Sequence, residues 1–409
     1  MEPPAPSARA LFRQRSFLLY WSARFLAAFA VQIVSVSVGW QVYDLTRDPF
    51  DLGLVGLVQF LPSLALVLVT GAVADRYDRR LIVALCIGVE FLCAAALLAL
   101  TLSGNRSVGP IFAVLAVLGI ARAFIGPSVQ SLLPNVVPRE MLATAIAWNS
   151  SAWQIATIVG PVVGGLLYGL SPEVAFSTAA VLFLAGASFA LLLPRIRAEH
   201  AGEPATWTTI VAGFRYVWSN KIVLGAISLD LFAVLLGGAT ALLPAYARDI
   251  LDVGPWGLGL LRAGPGIGAI AMAAALGLYP LRDRAGAIMF LGVGAFGLFT
   301  VIFGLSTLVW LSVIALVLMG AADMVSVYVR ETLIQLATPD EVRGRVNAVN
   351  MVFIGASNEL GEFRAGTLAG FIGVVPAVVI GGVGTMIVTV LWMRWFPELR
   401  RARRLDGVP

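Results

Sequence analysis

The chain has 409 residues, 59% of them hydrophobic and only 12% charged, where a soluble domain carries about a quarter charged residues. That balance excludes an ordinary water-soluble globule. The formal net charge of +5 is small for so long a chain, and its placement reports topology rather than a nucleic-acid partner.

A hydrocarbon core about 30 Å thick needs about 20 apolar residues at about 1.5 Å rise each. Runs of that length, rich in Leu, Val, Ala and Gly, recur along the whole chain. They are too long for the roughly ten-residue tilted strands of a membrane barrel, so an all-α membrane protein is expected. The N-terminus, Met1 to Ser16, is polar and basic, with three prolines and no small-residue cleavage site after the first apolar run, so no cleaved signal peptide is expected. Spans are predicted near 17–44, 51–74, 81–102, 109–133, 143–169, 173–194, 221–246, 256–279, 286–306, 308–331, 346–371 and 375–396. This gives twelve transmembrane helices. The longest polar stretch, Pro194 to Asn220, divides them six and six: an N-terminal bundle over 1–194, a cytoplasmic linker over 195–220 and a C-terminal bundle over 221–409.

Sorting the basic residues by alternate sides of this topology puts twenty on one side and only Arg47, Arg106 and Arg248 on the other. Positive charge is retained in the cytoplasm, so both termini are predicted there. The remaining five, Arg24, Arg122, Arg262, Arg330 and Arg364, fall within spans. The C-terminal run Arg400-Arg401-Ala402-Arg403-Arg404 directly follows a span and suits anionic lipid headgroups better than nucleic acid. Cys86 and Cys93, seven apart on one face of the third span, read as packing residues rather than a disulfide or metal site. The single histidine, His200, lies in the linker, so a proton relay inside the membrane would have to use carboxylates. The only lysine is Lys221 and no G-x-x-x-x-G-K-S/T loop is present, so the chain does not hydrolyse ATP by that route, and no cofactor or metal is expected.

The chain repeats internally. At an offset of 201 residues, QSLLPNVVPREMLATAIAWN (130–149) aligns with ETLIQLATPDEVRGRVNAVN (331–350). Without a gap, the same offset carries Gly119 onto Gly320, Arg122 onto Asp323, Gly160 onto Gly361 and Gly165 onto Gly366. An offset of 203 places Gly56 and Pro62 on Gly259 and Pro265. Two parallel six-helix repeats are a recurrent transporter solution, with the solute handled near the midplane and access alternating between the two sides. Pore loops and repeated rings of one charge, the marks of a channel, are missing from the sequence.

Two motifs then carry a family resemblance. GAVADRYDRR at 71–80, between spans 2 and 3, resembles the G-x-L-A-D-R-x-G-R-R signature of the major facilitator superfamily, with Gly71, Asp75, Arg76, Arg79 and Arg80 in place. Val73 and Asp78 depart from it. By this resemblance the segment is a cytoplasmic gate, Gly71 permitting close helix approach and Asp75 reaching helix-terminal amides or arginines. GPVVGG at 160–165 resembles the G-P-x-x-G-G signature of superfamily exporters, and Gly160, Pro161, Gly164 and Gly165 all fit. Glycines four apart make a flat packing face, and proline bends the helix. The section from Leu132 to Gly165 is similar to the bacterial branch that holds siderophore exporters of the enterobactin type and macrolide efflux proteins. The resemblance implies the major facilitator fold, a bacterial inner (cytoplasmic) membrane location and export.

An ionisable group at mid-span costs about 2.5–3.5 kcal/mol on insertion scales and must find a partner or a watery cavity. Arg122 in span 4 and its repeat mate Asp323 in span 10 are such groups. The resemblance implies that spans 1, 4, 7 and 10 line the pathway, which adds Gln32 and Gln41 from span 1 and Asp230 from span 7. Asp323, Ser326 and Arg330 follow a 3-then-4 spacing that puts a polar stripe on one face of span 10. Glu359 and Glu362, three apart in span 11, are the other pair, either of which could carry a coupling proton. Arg364 shows no local partner, and Glu90 in span 3 stands alone. Static interhelical ion pairs are the alternative for all of these. The expected function is a secondary active, proton-coupled exporter of an amphipathic small molecule such as a siderophore, macrolide or drug. Protons and membrane lipids are its further partners, and it acts as a monomer. An alternative is a lipid or lysolipid translocator of the same fold, not coupled to protons. Neither reading makes the chain an enzyme.

Overall fold

The computed structural model describes residues 8–194, 207–281 and 283–402. His200, Arg195, Arg197, Arg282, Arg403, Arg404 and the start of the linker therefore lie outside the described residues. Among those described, the chain is helical and no β-strand forms. The long helices are α1 (Arg15–Thr46), α2 (Pro49–Arg76), α3 (Arg79–Leu102), α4 (Gly109–Val136), α5 (Leu142–Leu170) and α6 (Pro172–Leu191), then α7 (Lys221–Gly237), α8 (Pro255–Leu278), α9 (Ala285–Leu305), α10 (Val309–Ala337), α11 (Asp340–Ile372) and α12 (Val374–Trp395). Within the segment read as a linker, Trp207–Ser219 forms a further helix.

Eleven of the described segments are long and apolar enough to cross a membrane, α7 counting with its continuation as Lys221–Ile250. The long helix outside that set is α11. Its 33 residues amount to about 50 Å at the α-helical rise, ample for a bilayer, but Glu359, Glu362 and Arg364 cluster in its middle and dilute its apolarity.

Local chemistry explains several boundaries. Asp78, Ser171 and Asn220 cap α3, α6 and α7, their side chains accepting from Arg80 N (3.0 Å), Val174 N (3.2 Å) and Ile222 N (3.1 Å), three of the amides a helix start leaves orphaned. Asp78, one of the two departures from the gate signature, is thus a helix cap. On α3, Val83, Ile87, Glu90, Ala94 and Leu97 are buried while Leu81, Leu85 and Leu92 are exposed. Both faces are mostly apolar because the outer one meets lipid, so polarity marks the faces only weakly and small residues mark the inner one instead.

The described chain divides into two compact units, Met1–Leu45 with Val58–Ala205, and Thr46–Leu57 with Thr206–Pro409. In the first unit Gly119 of α4 lies against the backbone of Gln59 in α2, and Gly164 of α5 lies against Ile33 of α1, where an added Cβ would stand 2.9 Å from the Ile33 Cα. In the second, Gly320 of α10 lies against the Pro265 backbone of α8, and Gly297 of α9 against Gly382 of α12. Such crossings leave no room for a Cβ. Without a hydrophobic drive between helices in lipid, close van der Waals contact of this kind holds them together.

Candidate functional site

In the first unit the charges sit on the wall of a cavity of about 300 Å³, lined by α1, α3, α4, α5 and the end of α6. Arg122, midway along α4, donates from Nη1 to Gln59 Oε1 at 2.8 Å, and its Nε lies 3.8 Å from Glu90 Oε1. Glu90, alone in the sequence, is thus the partner of Arg122, and it is 1% exposed. Arg24 of α1 lines the same cavity, with its guanidinium carbon 5.7 Å from the Trp153 ring of α5. In the sequence Arg24 falls within a span with nothing nearby to assign it a role, and Trp153, 129 positions away, carries no spacing signal that would join them.

Gln32 packs elsewhere. Its Cβ lies where a side chain at Gly160 would stand, so the first glycine of GPVVGG receives Gln32 and the next, Gly164, receives Ile33. Pro161 and Gly165 are buried in α5 beside them. The motif is therefore a tight seat for α1. Gln41 is engaged by Thr101, Nε2 to Oγ1 at 3.1 Å.

In the second unit the charges of α7 and α10 meet in one cluster. Asp230 of α7 and Arg330 of α10 form an ion pair with both side chains buried. Arg330 Nε is 3.6 Å from Glu331 Oε1, and Asn350 Nδ2 of α11 donates to that same oxygen at 3.0 Å. Asp323 lies close enough to interact electrostatically with both Asp230 and Arg330. Asp230, Asp323 and Ser326 share a void of about 10 Å³, the room one water needs. The polar stripe read from the sequence of α10 is thus met by an aspartate from α7.

Glu359 and Glu362 of α11 converge on one point, since both Oε2 atoms lie within 3.2 Å of where a Cβ at Gly56 would be. Arg262 of α8 is near enough to act on both carboxylates. The first turns of α2 run along α11 here, with the Phe50 and Phe363 rings 5.9 Å apart. Gly53 sits on the Phe363 backbone. Two residues beyond Glu362, Arg364 Nη2 donates to the Leu236 carbonyl, supplying the partner that the sequence did not reveal. That carbonyl is freed because α7 ends at Gly237, is capped by Gly238 (ψ 104°) and resumes as short 3₁₀ and π turns through Ile250. Two adjacent glycines and Pro244 are the sequence signal that could have located this break.

Of the gate residues, Arg76 ends α2 and Arg79 opens α3. Arg80 donates from Nη1 to the carbonyls of Leu193 (2.8 Å) and Leu191 (3.3 Å), tying the start of α3 to the end of α6. Gly71 and Asp75 fall in the last turns of α2; the Asp75 side chain lies outside those described. Cys86 and Cys93 are free thiols, Cys93 buried.

These features agree with comparisons to known proteins. A family described as "Transmembrane secretion effector" matches residues 6–406. The enterobactin exporter EntS of Citrobacter koseri is 27% identical over 96% of this chain and 95% of its own, and EntS of Escherichia coli is 27% identical over 95% and 94%. Among solved structures, a bacterial homologue of the human lysosomal transporter Spinster superposes with a TM-score of 0.74 over 97% of this chain and 99% of its own, at 14% identity. The nucleoside transporter NupG gives 0.73 over 93% and 98%, also at 14%. These two likenesses concern the fold, which is that of the major facilitator transporters. With its repeated halves, membrane-length helices and buried charges, the chain belongs to the transmembrane secretion effector family of the major facilitator superfamily and is a multi-pass membrane transporter, not an enzyme.

Proposed function

We propose that this protein is a secondary active exporter that moves an amphipathic small molecule, in the range of siderophores, macrolides and drugs, out of the cytoplasm in exchange for protons. In this reading it crosses the bacterial inner membrane twelve times as a monomer, α11 included, with both termini in the cytoplasm and lipid against its exposed apolar faces. Similarity to enterobactin exporters and the GPVVGG seat in α5 support export over import.

The observation that carries proton coupling is the Asp230–Arg330–Asp323 cluster. Burying an ion pair costs several kcal/mol per ion before pairing returns it, so such clusters are retained where charge is used. A proton arriving on Asp230 or Asp323 weakens the hold on Arg330, and Arg330 is free to exchange partners. That exchange is the two-state element through which a proton on one side can bias the exposure of the pathway. Glu359 and Glu362, opposed by Arg262, form a second candidate set for the same task.

The test is proton efflux from proteoliposomes acidified inside when amphipathic compounds are added, comparing the wild type with Asp230→Asn, Asp323→Asn and Glu359→Gln. Substrate-triggered efflux that is lost in one of these variants identifies the coupling carboxylate. Movement of substrate or lipid with no proton signal would sink the antiport reading in favour of uniport or lipid translocation.

A further inference from the structure

The first unit's cavity takes no part in the coupling proposed for the second, and its wall is chemically particular. Most of the lining is aliphatic or aromatic, and three side chains carry charge: Arg24, Arg122 and Glu90. Arg122 is engaged by Gln59 and Glu90. Arg24 has an aromatic neighbour, Trp153, but its buried Nε has no hydrogen-bond partner among the described residues. Two cations against one anion leave a positive charge in excess on a largely apolar wall, where an uncompensated charge is costly. A guanidinium fork takes a carboxylate in a planar, two-pronged geometry, and the Trp153 ring offers a flat apolar face next to it. At about 300 Å³ the space falls at the lower end of small-molecule sites, which run from roughly 300 to 1,000 Å³.

We propose that this cavity binds an amphipathic organic monoanion, its carboxylate on Arg24 and its flat apolar body along Trp153. The site deepens the transport reading by naming a substrate class, and rests on that reading only in treating the occupant as cargo. Gly126 of α4 supplies a way to fill it: it lines the cavity, and a Cβ built there meets nothing within 4 Å, so a larger side chain has open space from which to grow.

The experiment is calorimetric titration of the full-length protein in lipid nanodiscs, with empty nanodiscs subtracted, using 2-naphthoate and its uncharged isostere 2-naphthamide. Naphthoate is expected to bind saturably and at least tenfold more tightly than the amide. Arg24→Gln should erase that preference, Arg24→Lys should retain part of it, and Gly126→Leu should abolish saturable binding of both probes. Equal affinity for the two probes, or a preference that survives Arg24→Gln and Gly126→Leu, would overturn the proposal. The measurement needs no gradient, so the two readings fail separately. Proton antiport without naphthoate preference removes the anion site alone, and naphthoate preference without antiport removes coupling alone.

Discussion

Gly119 and Gly320 are repeat mates, and each lies so close to the helix it crosses, α2 in the first unit and α8 in the second, that a side chain would strike backbone. The charges around these crossings have diverged. In the first unit Arg122 meets Gln59 and Glu90 on the wall of an open cavity, and Arg24 stands over Trp153. In the second, the repeat mate of Arg122 is Asp323, the repeat mate of Gln59 is Arg262, and Asp230, paired with Arg330, borders a void of about 10 Å³ together with Asp323. Duplication kept what lipid demands of a helix pair, close contact through small residues, and left ionisable positions free to specialise. In the first unit Arg24, Arg122 and Glu90 line a cavity of about 300 Å³, whereas the space beside Asp230 and Asp323 holds about one water.

Substitutions can break this contrast. The largest effect is expected from Arg330→Leu, which strands Asp230 without its cation; removing one member of a buried pair costs roughly 3–5 kcal/mol, read as a fall in thermal unfolding temperature in detergent. Arg122→Leu should cost less, because Arg122 is about a third exposed and its separation from Glu90 is 3.8 Å. Equal losses would mean that the two sites are not differently built. Next, Gly119→Leu and Gly320→Leu should each destabilise by roughly 1–3 kcal/mol or more through overpacking, whereas Gly126→Ala, with open space at its Cβ, should be close to neutral. A large difference between the first two would show that the crossings are not equivalent after all.

Arg364→Leu tests the break in α7. It leaves the Leu236 carbonyl without its donor, a penalty of about 1–3 kcal/mol, and should speed amide exchange selectively around residues 236–242. Uniform protection across α7 in that variant would argue that Arg364 holds nothing open. The smallest effect concerns Asp78. Ala at this N-cap should cost about 1 kcal/mol, and Gly, the residue of the superfamily signature, only a few tenths. Thermal shifts of equal size for the two variants would assign Asp78 a role other than capping.

Parts of the site are legible in the sequence itself. The i, i+3, i+7 spacing of Asp323, Ser326 and Arg330 forces them onto one face of α10, and the i, i+3 spacing of Glu359 and Glu362 does the same on α11, so the stripe and the carboxylate pair follow from helix geometry. GPVVGG was legible as a packing face, but that Gln32 and Ile33 occupy it was not. Glu90 and Arg364 were left without partners, because Arg122 and the Leu236 carbonyl belong to helices far along the chain.

Sequence alone determined the class of molecule, the position of its apolar segments and its internal duplication, because apolar length and repeated glycines and prolines are local properties that transfer energies and backbone sterics translate directly into membrane helices. Tertiary structure alone decided which charges meet and which stand open to a cavity. In lipid the outer face of a helix is as apolar as the inner one, so the hydrophobic pattern carries little information about which way a helix faces. Partners such as Asp230 and Arg330, 100 residues apart, are chosen only when the helices pack.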